Sequence, residues 1–270
     1  MNVARAQAVA PPILNVRGLT SPGNFEDVSF ELLGGEVLGI AGLAESSGKD
    51  ALLPALVGLV PVTEGEVEVN GSPVQLKSPR VAQRHGIVYL PRKREEEAVI
   101  TGASVQDNLL ESIYERLRNS LGLLKLSEGR RIAEQNVVDF GIKARSVDVR
   151  IDTLSGGNRQ KVMLARLMNT SPIVLLLDEP TRGVDIGAKV EIMNLIRASL
   201  TAERAVIVTM ESEEELVELC DRILIVNRGR LTRTLSKGQK GFTPAEVYRL
   251  MQGVGLEPAT PGSDASVQSS

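Results

Sequence analysis

Two acids, Asp178 and Glu179, close the apolar run in "PIVLLLDEPTRGVD" (172–185). A run apolar without interruption reads as a strand buried on both faces, and open α/β sheets bind ligands beyond the carboxyl ends of such strands. At that edge an aspartate can hold Mg²⁺, and the next glutamate can polarise an attacking water. Taken alone, "LLLDE" is equally well a strand ending in two solvated acids. A second segment, "LSGGNRQKVMLAR" (154–166), removes that ambiguity. Ser155, Gly156 and Gly157 open an amphipathic helix, so unpaired N–H groups and the positive end of its dipole are available to an anion.

A third segment, "GLAESSGKDAL" (42–52), follows the apolar run "EVLGIA". It is close to the phosphate loop GxxxxGK[ST], in which backbone N–H groups turn toward phosphate, the lysine reaches the terminal phosphates and the hydroxyl holds Mg²⁺. Here the interval between Gly42 and Gly48 is one residue too long, and Asp50 follows Lys49 in place of the hydroxyl. Gly42, Ser46, Ser47, Gly48, Lys49 and Asp50 are the candidate nucleotide-binding residues of a degenerate loop. Carboxylates do bind Mg²⁺, but Asp50 adds negative charge beside a polyphosphate.

In this order the three segments resemble the nucleotide-binding domains of ATP-binding cassette transporters. "LSGGN" is similar to their signature motif, "IVLLLDE" to their Walker B strand and "TRGVD" to the loop that follows. The resemblance runs from Pro12 to about Gly253. More narrowly, "GEVLGIAGL", "GIVYLP", "LSGGNRQKVMLAR" and "DEPTRGVDIGAK" resemble the second, C-terminal cassette of the tandem ATPases that drive bacterial monosaccharide importers. That family normally fuses two cassettes, and this chain holds only the second type. The resemblance implies ATP and Mg²⁺ as cofactors and a head-to-tail pair of cassettes at the cytoplasmic face of the inner membrane. Transmembrane permease subunits would be the direct partners, and a substrate-binding protein an indirect one. Residue by residue, Ser155, Gly156, Gly157 and Asn158 would meet γ-phosphate bound on the partner cassette, and Asp185 would face that partner. Lys49, the metal ligand Asp178 and the catalytic Glu179 would serve the chain's own nucleotide.

The departures from that pattern fall on the chain's own site. Besides Asp50, Arg92 stands where the family has a glutamine after a segment like "YLP"; it is expected to be a solvated member of the cluster Arg92, Lys93, Arg94, with a contact to a phosphate as the alternative. Glu211 stands where the family has a histidine on the γ-phosphate. A carboxylate about 4 Å from a phosphate charge is repelled by about 4 kcal/mol at an effective dielectric near 20. The lone histidine, His85, precedes the strand "GIVYL" and reads as structural. Phe25, a candidate for stacking on a base, reads better as core beside "VSF".

The elements that must position these residues form an α/β chain. Strands are expected at 13–16, 28–32, 36–41, 66–69, 86–90, 173–177, 205–209, 222–226 and 230–234, with "NRGR" as a tight turn. The runs at 173 and 205 read as central parallel strands, while alternating "EVEV" reads as a half-exposed antiparallel one. From about 104 to 170 no strand is expected: "SVQDNLLESIYERLRNSL" starts from Ser104 as N-cap, and a second helical pattern ends at Gly141. The fold class is therefore a P-loop NTPase-like α/β core of the cassette type, mostly parallel with an antiparallel part, carrying an all-helical insert. The core takes 12–100 and 171–253, the helical part about 101–170, and flexible tails 1–11 and 254–270.

With 270 residues, 42% hydrophobic, 24% charged and a net charge of -3, the chain gives no electrostatic reason to expect nucleic acid. Cys220, alone in the chain, reads as a small buried hydrophobe at the end of "ELVELC" and points to a reducing compartment. No run approaches the roughly 18 apolar residues of a membrane span. The reading is the ATPase component of a sugar-type importer that mainly donates its signature to a partner cassette. A self-sufficient homodimeric ATPase and a non-hydrolysing scaffold or regulatory cassette are the alternatives.

Overall fold

The computed structural model describes residues 11–43, 47–93, 98–120 and 122–254. The expectations for Ser46, Arg94 and nearly all of the two tails fall outside these residues.

Two sheets divide the strands. In the first, β1 (Leu14–Ser21), β2 (Phe25–Leu32), β4 (Glu64–Val69) and β5 (Ser72–Pro73) run antiparallel in the order β2-β1-β4-β5. The alternating segment "EVEV" lies in β4, where Val67 and Val69 are buried and Glu66 is exposed. The second sheet takes β3 (Val37–Ala41), β6 (Ile87–Leu90), β7 (Val174–Asp178), β8 (Ala205–Thr209), β9 (Arg222–Asn227) and β10 (Arg230–Ser236), in the order β10-β9-β3-β8-β7-β6. All neighbours in it are parallel except β10, which returns antiparallel along β9. The "NRGR" turn makes that return, with Arg228 at φ 48° and Gly229 at φ 76°, the pair of positive angles that a two-residue hairpin of the favoured hand requires.

The parallel strands are apolar throughout because both faces are covered. Val174 and Leu176 of β7 enter one hydrophobic cluster with Leu52, Leu53 and Leu56 from α1 (Lys49–Ala55) and its end, and with Ala82 from α2 (Pro79–Arg84). Leu175 and Leu177 enter the opposite cluster. That second cluster also holds residues of α3 (Val105–Leu110), α4 (Leu126–Asp139), α5 (Gly156–Met168), α6 (Ile186–Ala198), α7 (Glu213–Leu219) and α8 (Pro244–Met251). Period-two alternation thus feeds two cores from one run.

Between β6 and β7 the described residues contain no named strand. Ser104 caps α3 as expected: its hydroxyl accepts from Asp107 N at 3.0 Å while the Asp107 carboxylate accepts from Ser104 N at 3.3 Å, a reciprocal capping box. The helix is shorter than its apolar spacing suggested. It ends at Leu110 and tightens into a 3₁₀ turn, Glu111–Ile113, and Leu110, Ile113 and Leu117 gather in a small cluster of their own. Helical spacing was satisfied by a folded loop instead of a continued helix.

Cys220 differs slightly from expectation too. α7 stops at Leu219, and Cys220 caps it in an extended conformation, fully buried. It fills the space left by Gly39 in β3, where an added Cβ would come within 2.7 Å of the Cys220 sulfur. Glycine inside a central strand marks such a close approach. Burial pushes the thiol well above its usual range. Native protein is therefore expected to leave Ellman's reagent unreacted at pH 8 over the time in which guanidinium-unfolded protein releases one equivalent; equal rates would show that this core opens freely.

Candidate functional site

Four parallel strands, β3, β6, β7 and β8, bring their carboxyl ends to one edge of the sheet, and every candidate of the chain's own site follows one of them. After β3 the chain passes Gly42 and enters α1 through Gly48, whose φ is 80°. An added Cβ at Gly48 would lie 2.0 Å from the Asn24 carbonyl, so the loop is pressed against the β1–β2 turn. Ser47 is buried, accepts through Oγ from Lys49 N at 3.2 Å, and accepts through its carbonyl from Gly229 N at 2.9 Å. The β9–β10 hairpin thereby clamps the loop from the other side. A cleft of about 1130 Å³ opens beside it, lined among others by Asn24, Phe25, Gly48, Asp50 and Arg228. Phe25 itself is 3% exposed, which is core packing with an edge on the cleft.

β7 delivers Asp178 and Glu179, both buried. Asp178 accepts from Thr209 Oγ1 at 2.6 Å, from Tyr89 OH at 3.3 Å and from Arg92 Nη2 at 3.3 Å. Glu179 has φ 50°, a left-handed backbone that costs a non-glycine residue on the order of 1–3 kcal/mol and is found where function or packing holds it. Here its N–H donates to both the carbonyl (3.2 Å) and the hydroxyl (3.1 Å) of Thr209. Its carboxylate accepts from Arg182 at 3.1 Å and lies 3.3 Å from Arg92 Nε.

Arg92 corrects the sequence reading. It is not a solvated member of a basic cluster: its side chain is 23% exposed, and Nη2 lies 2.5 Å from Asp50 Oδ1 as well as 3.3 Å from Asp178 Oδ1. The physical reason is that buried carboxylates need a cation, and the loop after β6 carries the one that reaches Asp178. Burial works against the charge of Arg92, but Asp50, Asp178 and Glu179 together hold it protonated well above the ordinary arginine value. Asp50 is partly buried, which opposes ionisation, yet Arg92 and the Lys49 ammonium, 2.7 Å away, lower its pKa below the ordinary 3.8. Mg²⁺, implied by the resemblance, would use the residue after the loop lysine and the strand-end aspartate. A single nitrogen of Arg92 already bridges these two side chains, Asp50 and Asp178. Among the described residues no three carboxylate, imidazole or thiol groups are arranged to hold a metal ion. The residues in this arrangement do not fit a divalent cation.

The signature segment lies on a separate, open edge. Ser155 is exposed and caps α5, its Oγ receiving the Asn158 amide at 2.8 Å, while Asn158 Oδ1 accepts from Lys143 N at 2.7 Å. Gly157 is buried, and an added Cβ would meet Ala188 of α6 at 2.6 Å; Gly156 has its nearest neighbour, the Gly183 carbonyl, at 3.6 Å. One glycine is needed for packing and the other leaves room. Asp185 is exposed and caps α6 by accepting from Ala188 N at 2.9 Å. Glu211 is exposed after β8, and His85 is exposed as the C-cap of α2.

Sequence reasoning missed three side chains of the acidic cluster: Thr209, Tyr89 and Arg182. Thr209 had a readable signal, a hydroxyl ending the apolar run "AVIVT", and register places it opposite Asp178. Nothing local marks Tyr89 or Arg182.

A family model described as "ABC transporter" matches residues 25–182, more than half of the chain. The ribose import ATP-binding protein RbsA 2 of Rhizobium meliloti (strain 1021) is 38% identical over 255 residues, which are 94% of this chain and 48% of that protein. RbsA of Geobacillus kaustophilus (strain HTA426), also named a ribose import ATP-binding protein, is 40% identical over 82% of this chain and 44% of its own length. The chain thus spans about half the length of these relatives. Among solved structures, a dimeric bacterial ABC transporter cassette superposes with a TM-score of 0.70 at 20% identity, covering 84% of this chain and all of that one.

The Asp50 cluster gives a pH prediction. Because the folded pKa of Asp50 lies below its unfolded value of 3.8, its ion pairs stabilise the fold above about that pH and lose their effect as pH falls through the folded value. Asp50→Asn is expected to lower the melting temperature at pH 7 by about 2–4 °C, or about 1 kcal/mol once partial exposure is discounted. The gap should close below pH 3.8, measured by circular dichroism melts across pH. A gap independent of pH would mean that the charge of Asp50 does not contribute.

Proposed function

The chain belongs to the ABC transporter family, and from that premise we infer that it is the ATP-binding component of a bacterial sugar-type importer, acting as a second-type cassette. The observation that carries the reading is an asymmetry between its two functional edges. The signature edge is open: Ser155 is exposed at the start of a 13-residue helix, whose free N–H groups and dipole favour an anion. The edge of its own loop is engaged, with Asp50, Asp178 and Glu179 tied to Lys49, Arg92 and Arg182.

In this reading Ser155, Gly156, Gly157 and Asn158 close over a triphosphate held by a second cassette, and Asp185 sits at the same junction. Gly42, Ser46, Ser47, Gly48 and Lys49 hold a nucleotide of the chain's own, with Lys49 nearest the terminal phosphates once it leaves Asp50. Glu179 is the candidate base, but a carboxylate held by two guanidinium groups has little freedom to orient or deprotonate a water. Glu211 adds negative charge next to β8. Binding and closure therefore dominate over hydrolysis at this site. The core at 12–100 and 171–253 would carry these residues, and the helical part at about 101–170 would contact permease subunits at the cytoplasmic face of the inner membrane. No helix among the described residues is long and apolar enough to cross it. The ribose import names of the relatives support a monosaccharide as cargo, delivered by a substrate-binding protein.

The purified chain is expected to bind ATP weakly and to hydrolyse it far below a working cassette. Turnover comparable to such a cassette, abolished by Glu179→Gln, would overturn that. In the assembled transporter, Gly156→Asp is expected to remove most ATPase activity, because the new carboxylate would meet the γ-phosphate. The backbone has room for a side chain at that position, so the variant reports on charge, with complex formation checked by size. Lys49→Ala is expected to cost much less. Equal losses would show that the chain's own loop is a working catalytic site and would sink the division of labour.

A further inference from the structure

Phosphate loops of this type present Mg²⁺ to a nucleotide through the hydroxyl after the lysine and the strand-end aspartate. The structure here has a guanidinium between the residues at those two places. Nη2 of Arg92 lies within hydrogen-bonding distance of Asp50 Oδ1 (2.5 Å) and of Asp178 Oδ1 (3.3 Å), and Nε lies 3.3 Å from Glu179. The Nε has no hydrogen-bond partner of good geometry, so its relation to Glu179 is one of charge. Asp178 accepts from two further donors besides: Thr209 donates to Oδ1 and Tyr89 to Oδ2. A magnesium ion needs oxygens at about 2.0–2.1 Å in near-octahedral geometry, and here Asp50 Oδ1 and both oxygens of Asp178 already accept from donors. Local charge is also balanced, three acids (Asp50, Asp178, Glu179) against three bases (Lys49, Arg92, Arg182).

We propose that Arg92 is the resident cation of this site, replacing the divalent ion, so that the chain binds nucleotide at its own loop without Mg²⁺. The proposal deepens the reading of residues 42–50 as a nucleotide site and rests on it. A guanidinium presents several N–H donors in a plane suited to phosphate as well as to carboxylate. On nucleotide entry it can exchange the Asp50 carboxylate for a phosphate oxygen while keeping Asp178. It supplies one positive charge where a metal would supply two, and it cannot coordinate a water and lower its pKa as a metal ion does. The site therefore retains nucleotide and supports closure while contributing little to hydrolysis.

The test uses the full 270-residue chain and two readouts. ATP affinity is measured by calorimetry in excess Mg²⁺ and in excess EDTA, for the natural chain and for Arg92→Gln. Mn²⁺ alone is titrated by electron paramagnetic resonance, a readout that needs no nucleotide. The natural chain is expected to bind ATP equally within about twofold in the two buffers and to leave Mn²⁺ free. Arg92→Gln is expected to bind ATP at least tenfold more tightly with Mg²⁺ than without it, and to bind Mn²⁺ at least tenfold more tightly than the natural chain. A natural chain that loses tenfold or more in EDTA overturns the proposal, and so does unchanged Mn²⁺ affinity in the variant. If neither protein binds ATP, the reading of the loop as a nucleotide site and the metal-free binding inferred from it both fall; the Mn²⁺ titration still decides whether Arg92 excludes a metal. Should Arg92→Gln unfold because three acids are left with two cations, Arg92→Gln combined with Asp50→Ser removes one acid, and the same thresholds apply.

Discussion

One guanidinium organises the carboxyl edge of the parallel sheet. Asp178 and Glu179 are buried at the end of a central strand, where an ionised carboxylate without a partner would cost several kcal/mol. Arg92 answers that constraint from the loop after β6 and reaches Asp50 at the start of α1 in the same contact. Three segments far apart in sequence, the phosphate loop, the β6 loop and the acidic strand end, are thereby tied at one point. Glu179 can keep its left-handed backbone because Thr209 holds its N–H from the neighbouring strand. The rest of the sheet sets the register that makes this possible, with Asp178 paired opposite Thr209.

Among the described residues, the caps of the signature segment make no hydrogen bond to the acidic cluster. Its geometry comes from α5 packing on α6, where Gly157 allows the close approach to Ala188, and from two local caps, Ser155 on α5 and Asp185 on α6. The exposed end of α5 is set by these local caps, while the body of the helix packs in the common core with α3, α4 and α6. The contrast between this exposed end and the buried, ion-paired acids is the physical basis for reading the two edges as performing different tasks.

Much of this was legible in the chain itself. Continuous apolar runs marked the parallel strands, because a strand covered on both faces has no polar side to show. "EVEV" marked β4, "NRGR" the hairpin, and Ser104 with Asp107 a capping box, all set by residues within a few positions of one another. "LSGGN" marked the capped start of α5 and "LLLDE" the acids at the end of β7. The end of α3 was not legible, since apolar spacing at 110, 113 and 117 fits a helix and a folded turn equally well.

The partner of each charge was decided by tertiary structure alone. In sequence Arg92 sits beside Lys93 and Arg94, and three adjacent bases read as a solvated cluster. In space it is the cation that lies between Asp50, Asp178 and Glu179. Sequence determines which residues are charged and which strand ends carry them, because composition and hydrophobic period are local properties. It does not determine which charge neutralises which, because that depends on strand order: β6 lies beside β7 in the sheet although the whole helical segment separates them along the chain. Burial then makes the pairing obligatory, and the same pairing sets a guanidinium between Asp50 and Asp178.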